Sequence, residues 1–319
     1  MPSTLYAPLI SFGISMIALV FLTKGRMTHI ALDKPNERSL HNAPVPRTGG
    51  LAIMSGVLTG WSFLGAPGWP VWLALIILVA VSFLDDLYNL PVLVRFGTHF
   101  IASGIFSYFV LLPSFGFPIT SVLVLCMVWM INLYNFMDGS DGLAGGMAFF
   151  GFGFYSIASW MANDLSFAIL NMTIAMSAGA FLIFNFHPAR IFMGDAGSIP
   201  LGFLASALGL LGWENGDWPF WFPLMIFSPF IVDATATLLK RLFKGARVWQ
   251  AHKEHYYQRL IMMGLGHRNL ALSEYALMAA IGLASIAAMK NPAPLFAFWC
   301  IAFALFMRHI DRRWAEFDK

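Results

Sequence analysis

The feature that most constrains this chain is a succession of long apolar runs separated by short polar breaks. Eleven runs follow one another: 5–23, 48–64, 69–84, 96–112, 118–136, 143–160, 165–185, 198–214, 218–238, 271–289 and 293–308. A helix needs about 20 mostly apolar residues to cross the hydrocarbon core of a bilayer. Inside lipid every backbone polar group must find its partner within the protein, which leaves helices or closed barrels. These runs are continuous instead of alternating, so they predict an all-α polytopic membrane protein with about eleven transmembrane helices. The composition agrees, with 59% hydrophobic and 11% charged residues, against about 25% charged in a soluble domain. The polar breaks hold no separate soluble domain, linker, low-complexity tract or convincing repeat, so residues 1–319 read as one integral membrane domain. The first run is followed by Lys24, Gly25 and Arg26 and lacks a basic leader and a small-residue cleavage site, so it reads as a retained span. Cys126 and Cys300 lie in apolar runs and read as small hydrophobes, not as a disulfide or a metal site.

The basic residues orient the chain. Sorted into alternating sets, the breaks 24–47, 85–95, 137–142, 186–197, 239–270 and 308–319 hold 18 of the 19 Lys and Arg. The opposite breaks hold only Lys290 and are turn-sized. The positive-inside rule then places the N-terminus outside and the C-terminus in the cytoplasm. All substantial hydrophilic sequence falls on the cytoplasmic face. That disfavours a secondary transporter, which needs access from both faces and acids near the midplane. It favours an enzyme with a cytosolic substrate.

On that face carboxylates sit at the ends of successive runs: Asp85 and Asp86 after the third, Asp138 and Asp141 after the fifth, Asp195 after the seventh, and Asp233 near the inner end of the ninth. A single Asp there is as well explained by a helix cap or an interfacial charge. Several at similar depth are costly unless paired, hydrated or bound to metal. An oxygen-rich cluster without cysteine suits Mg²⁺, with Mn²⁺ as the alternative, because Mg²⁺ commonly takes one or two carboxylates together with substrate phosphates.

Two of the breaks are rich in glycine: NLYNFMDGSDGLAGG (132–146) and PARIFMGDAGS (188–198). Glycine steps let backbone amides and carboxylates approach a diphosphate. Ser198 is placed to cap the following helix, whose N-terminus favours an anion. Ordinary turns are the plainer explanation. The long break 239–270 carries His252 and His255 beside Tyr256, Tyr257 and Gln258. On a helix two histidines three apart share a face and can bind phosphate or donate a proton. The Lys and Arg around them also suit anionic lipid headgroups. The first break adds Arg38, His41 and Arg47 among Pro35, Pro44 and Pro46.

At these residues the chain resembles the polyprenyl-phosphate N-acetylhexosamine-1-phosphate transferases, glycosyltransferase family 4. The resemblance rests on five segments in order: PNERSLHNAPVPRTGG (35–50), FLDDLYNLPVLVR (83–95), NLYNFMDGSDGLAGG (132–146), ARIFMGDAGSIPLGF (189–203) and AHKEHYYQRL (251–260). It implies transfer of a HexNAc-1-phosphate from a UDP-sugar to undecaprenyl phosphate at the cytoplasmic face of a bacterial inner membrane. Asp85 and Asp86 match the paired aspartates that handle the prenyl phosphate and supply the base. Asp195 matches the main Mg²⁺ ligand. Asn135 and Asp141 match residues near the metal and diphosphate, with Asp141 taken as both catalytic and metal-binding. Phe192 matches an aromatic that stacks on uracil. His252 and His255 fall in the loop that contacts the nucleotide sugar, and Arg38, His41, Arg47 and Arg190 complete the substrate-binding set.

Two departures steer the reading within that family. Asn89 stands where the peptidoglycan lipid I enzymes carry Lys, and His252-Lys-Glu-His255 replaces three consecutive histidines. Both point to the branch that starts O-antigen or common-antigen chains from UDP-GlcNAc or a related 6-deoxy HexNAc, feeding lipopolysaccharide and cell-wall biogenesis. The implied partners are undecaprenyl phosphate, a UDP-HexNAc and membrane lipid, with no nucleic acid, and a homodimer is the admissible assembly. The rivals are the transporter above and a CDP-alcohol phosphotransferase, which shares only an Asp-Gly-rich metal loop.

Overall fold

Leucine, isoleucine, phenylalanine and alanine dominate the apolar runs, and in lipid the helix is the backbone form that leaves no amide unpaired. The computed structural model describes residues 4–24, 31–33, 44–65, 67–247 and 252–317. Each of the eleven expected runs is helical there. In chain order the α-helices are α1 (Ala7–Leu22), α2 (Gly49–Ser62), α3 (Trp69–Tyr88), α4 (Val92–Phe106), α5 (Leu112–Phe136), α6 (Leu143–Met161), α7 (Leu165–Asn185) and α8 (Asp195–Asn215). They continue with α9 (Trp221–Ile226), α10 (Ser228–Phe243), α11 (Tyr256–Leu260), α12 (Gly266–Ala287) and α13 (Ala293–Phe317). The protein is an all-α polytopic membrane protein. The one sheet among the described residues is a two-stranded antiparallel ribbon, β1 (Leu32–Asp33) with β2 (Val45–Pro46).

Among the described residues, seven helical stretches are long and apolar enough to cross a membrane, fewer than the eleven expected. The difference has local causes. The stretch Val92–Phe136 covers two expected runs and is 45 residues long. It breaks at Gly116, whose φ of 70° and ψ of 168° leave the helix, inside the expected break 113–117. α2 is only 14 residues long, short of a full crossing. The run 218–238 is split into α9 and α10 at Phe227. α6 is diluted by glycine and serine. The expected loop 239–270 is also shorter than its polarity suggested. From Tyr256 the chain is helical, and Tyr256–Ala287 forms one stretch of 32 residues, because apolar residues recur at helical spacing through 256–265.

α8 is the central helix. Its apolar window is 78% buried, against 11% for α13, and it packs against α2, α3, α5 and α6. Its N-terminal end fits tightly on α2. A Cβ on Gly50 would come within 2.2 Å of the Gly197 backbone nitrogen, so this crossing has room only for glycine. Backbone pairing extends the seam, because Phe192 N–H donates to Pro46 O at 2.8 Å, Gly49 N–H to Phe192 O at 2.9 Å and Gly50 N–H to Met193 O at 2.8 Å. The first polar segment and the Phe192–Asp195 turn are therefore one built unit.

Candidate active site

The site is assembled from helix ends. α3 stops at Asn89, which takes a left-handed φ of 52°, a conformation asparagine tolerates better than most residues. That turn brings Leu90 N–H onto Asp85 Oδ1 at 2.6 Å, and Arg95 at the start of α4 reaches Asp85 Oδ2 at 3.4 Å. Asp86 points the other way. Its Oδ1 accepts Asp195 N–H at 3.2 Å and its Oδ2 accepts Ala196 N–H at 2.9 Å. α8 begins after Gly194, which has no side chain to cap it, so a carboxylate from α3 caps it instead. Gly194 is forced here. It has a φ of 71°, and a Cβ would lie 2.4 Å from Arg47 O and 2.9 Å from Asp86 Oδ2. Arg47 completes the unit, with Nη2 donating to Asp86 O at 2.9 Å and Nε 3.6 Å from Asp86 Oδ1.

Asp195 is the first residue of α8, where the helix dipole favours an anion. Asn135, near the end of α5, donates Nδ2 to Asp195 Oδ1 at 2.8 Å and to Ser198 Oγ at 2.9 Å. The Asp195 carboxyl also meets Asp85 and lies within electrostatic range of Asp86. Asp138, in the α5–α6 turn, joins the same group. Burial pushes its carboxyl well above the ordinary carboxylate range, and the charges of Asp195, Asp86 and Asp33 push it further. Asp33 of the β-ribbon lies within electrostatic range of Asp138. Four carboxylates from three separate segments therefore gather here, with Arg47 and Arg95 nearby.

Other expected residues are placed differently. Asp141 was expected within the carboxylate cluster, but its Oδ2 accepts His187 Nδ1 at 2.7 Å and Ala189 N–H at 3.2 Å. His187 in turn stacks on His267, which bonds Ser140. Of the two aspartates in the DGSDG turn, it is Asp138 that faces Asp195. Arg190 was expected to bind substrate, yet its guanidinium donates to Ile183 O at 2.9 Å and lies over the Phe184 ring, closing the end of α7 as basic residues do at C-termini. Phe192 is half-buried on the seam with Pro46 and Gly49. Arg38 and His41 lie outside the described residues.

The histidine pair stands at a second helix start. His255 is buried, and its ring lies 4.9 Å from that of His252 and 6.2 Å from that of Phe136, at the end of α5. Burial beside His255, Arg241 and Arg259 lowers the His252 imidazole to about 4. Tyr257 Oη donates to Phe136 O at 3.1 Å, fastening this segment to the turn that carries Asp138. Asp33 and Arg95 were not singled out from the sequence, and Asp138 was named among the carboxylates while Asp141 was taken as the metal ligand. Arg95 follows Asp85 only after the turn at Pro91, and nothing in the local spacing of Asp138 and Asp141 tells which faces inward.

An apolar space runs along α5 and α8 away from the site. A cavity of about 300 Å³ lies between α5, α8 and the α9–α10 break, lined by residues including Met130, Leu133, Tyr155, Leu210, Trp213 and Phe227. Its Leu133 is two residues from Asn135.

A multi-spanning helical protein with a carboxylate floor at its helix ends is the class these features define. The sequence pattern of the family described as glycosyl transferase family 4 matches residues 69–212, the stretch from α3 into α8 that carries Asp85, Asp86, Asn135, Asp138 and Asp195. The chain is 29% identical over 298 residues to a probable undecaprenyl-phosphate N-acetylglucosaminyl 1-phosphate transferase of Bacillus subtilis, covering 88% of this chain and 83% of that one. It is 27% identical over 342 residues to an undecaprenyl-phosphate alpha-N-acetylglucosaminyl 1-phosphate transferase of Yersinia pestis, covering 98% and 93%. It is also 27% identical over 304 residues to a decaprenyl-phosphate N-acetylglucosaminephosphotransferase of Mycobacterium leprae, covering 81% and 76%.

Proposed function

We propose that this protein transfers a HexNAc-1-phosphate from a UDP-sugar to undecaprenyl phosphate at the cytoplasmic face of a bacterial inner membrane, releasing UMP. The observation that carries this reading is the convergence of Asp85, Asp86, Asp138 and Asp195 beside Arg47 and Arg95 at the ends of membrane helices. The similarity to transferases named for this reaction supports it.

The donor set suits Mg²⁺. Among the described residues no three His, Cys, Asp or Glu side chains form a ready-made metal cage. Mg²⁺ does not require one, since it uses one or two carboxylates plus substrate phosphates and waters. Asp195 and Asp138 are the residues that would hold it, because the carboxylates crowding Asp138 are the groups a divalent cation would relieve. When bound, the ion would neutralise charge developing on the diphosphate.

The chain's own residues divide the remaining work. Both oxygens of Asp86 are occupied by backbone N–H groups of α8, so its role is to hold Asp195 in place. Asp85 meets Asp195 and is held by Leu90 N–H and Arg95, and we assign it the proton left on the lipid phosphate. A lipid phosphate oxygen attacks the β-phosphorus, the bond from that phosphorus to the bridging oxygen breaks, and UMP leaves with the electron pair. Arg47 and Arg95 screen the two approaching anions, so the gain comes mainly from positioning and electrostatics. The prenyl chain extends from these helix ends into the bilayer. The departures at Asn89 and at His252–His255 favour the branch that starts O-antigen or common-antigen chains from UDP-GlcNAc or a 6-deoxy HexNAc.

The test is to incubate the purified protein in lipid with undecaprenyl phosphate, Mg²⁺ and a panel of UDP-HexNAc donors, reading product mass and UMP. A prenyl-diphosphate-HexNAc is expected. Inactivity with every UDP-sugar, or turnover of CDP-diacylglycerol instead, would overturn the reading.

A further inference from the structure

α11 is five residues long and begins after the long cytoplasmic break. It runs on through Ile261–Leu265 toward α12, so what needs holding is its N-terminal end, where the Gln258 side chain already accepts His255 N–H at 3.2 Å. Two carboxylates from other helices hold it. Asp233 of α10 is nine-tenths buried; its Oδ1 accepts Tyr256 N–H at 2.9 Å and its Oδ2 accepts Tyr257 N–H at 2.9 Å. The same Oδ1 lies 3.3 Å from His255 Nδ1 and accepts Thr237 Oγ1–H at 3.2 Å. One side chain therefore satisfies two free amides of α11 and lies against the ring of His255.

The other end is tied to the last helix. Asp311 of α13 takes Lys240 of α10, Tyr256 Oη at 3.1 Å and Arg259 Nη1 at 3.1 Å. Arg259 is 6% exposed, with the Tyr256 and Trp314 rings 5.2 and 5.6 Å from its guanidinium carbon. Half-exposed ion pairs contribute little to stability, but a buried guanidinium that loses its counter-charge is strongly destabilised. Upstream, Arg241 pairs with Glu254. The segment carrying His252, His255 and Tyr257 is thus held from both sides by residues remote from the carboxylate floor.

We propose that Asp233 and Asp311 are positioning residues that clamp α11 and so present the histidine pair to the nucleotide half of the donor, coupling α13 to donor binding. This rests on the reading that the donor is a UDP-sugar. Neither carboxylate touches substrate; Asp233 acts on His255 directly, and Asp311 acts through Tyr256 and Arg259 of the same segment.

The full-length protein in lipid tests this with Asp233→Asn, Asp311→Asn and Asp311→Glu. Diethyl pyrocarbonate labels accessible neutral imidazoles, and peptide mass spectrometry reads His255 against the exposed His309 of α13. Buried His255 labels slowly in the wild type. In both Asn variants its rate relative to His309 rises about tenfold as the segment opens, and Asp311→Glu returns it toward wild type. In the transfer assay the KM for the UDP-sugar rises about tenfold while the KM for undecaprenyl phosphate holds, since misplacing a positioning group by ångströms carries a penalty of that order. Unchanged His255 labelling in both Asn variants would overturn the clamp, as would a parallel rise in both KM values. A wild type that labels as expected but transfers no UDP-HexNAc would instead overturn the donor reading and leave the clamp's geometry intact.

Discussion

Two helix starts here take a cap from a carboxylate on a neighbouring helix, α8 in place of a side-chain cap of its own and α11 in addition to its own His255–Gln258 capping box. Asp86 of α3 accepts the first amides of α8, and Asp233 of α10 accepts the first amides of α11. The chemistry is the same and the settings differ. α8 is a 21-residue helix at the centre of the bundle, whereas α11 has five residues near the rim beside α13. At the centre, glycine packing at Gly50 and backbone pairing through Phe192 hold the helix start even before the cap is counted. At the rim, side-chain ion pairs do that work. The comparison suggests that the floor is rigid and sets the chemistry, while the clamp is adjustable and sets donor affinity.

The largest effect is expected at the floor itself. Asp195→Asn keeps the shape and an oxygen acceptor for Asn135 but removes the charge. Transfer should fall by about 10³-fold or more, the scale of losing a preorganised electrostatic group, with the thermal midpoint unchanged. Added Mg²⁺ should not restore it. Near-normal turnover would end the metal role of Asp195 and with it the claim that the floor is the chemical centre.

How much of this was readable beforehand depends on what holds each residue. Asp195 was legible as a carboxylate in a glycine-rich break before an apolar run, but the helix start was not: Ser198 was expected to cap it, whereas α8 begins at Asp195 and the Ser198 hydroxyl donates back to Gly194 O at 3.2 Å. Asp85 and Asp86 were legible as a pair, but not as a pair with opposite tasks, because the direction of each is set by contacts with α4 and α8. The choice between Asp138 and Asp141 was beyond the sequence: the two sit three apart in one turn, and Tyr257 and His187, distant in the chain, decide which faces inward. The helical runs were visible from hydropathy. Their number of clean crossings was not, because α2 stops at 14 residues and the run 218–238 breaks at Phe227, neither of which hydropathy marks.

Asp86→Asn gives the intermediate effect and separates a cap from a catalytic group. Asparagine offers one acceptor to the two amides of Asp195 and Ala196 and turns an N–H toward the other. The loss of a cap costs about 1 kcal/mol, and an unsatisfied buried amide adds a similar amount. The unfolding midpoint should drop by several degrees, and transfer should fall about 10²-fold as Asp195 shifts. An unchanged midpoint with complete loss of transfer would mean that Asp86 acts on substrate, and the parallel with Asp233 would fail.

The smallest effect lies at the rim and is read through pH. The folded-state pKa of His252 is lowered to about 4 by burial and by neighbouring His255, Arg241 and Arg259, whereas the unfolded chain binds its proton near 6.5. Between those values the unfolded state holds more protons, so this residue's contribution to stability is present above pH 6.5 and is lost as pH falls toward 4. His252→Gln removes that term. Its thermal midpoint should decline less steeply than the wild type's from pH 6.5 to 4.5, by about one or two degrees, because the ring is only half-buried and solvent screens the rest. The wild type and the variant having the same slope would show that His252 is not held neutral in this segment, and the rim would then lack the closed packing that the clamp on α11 requires.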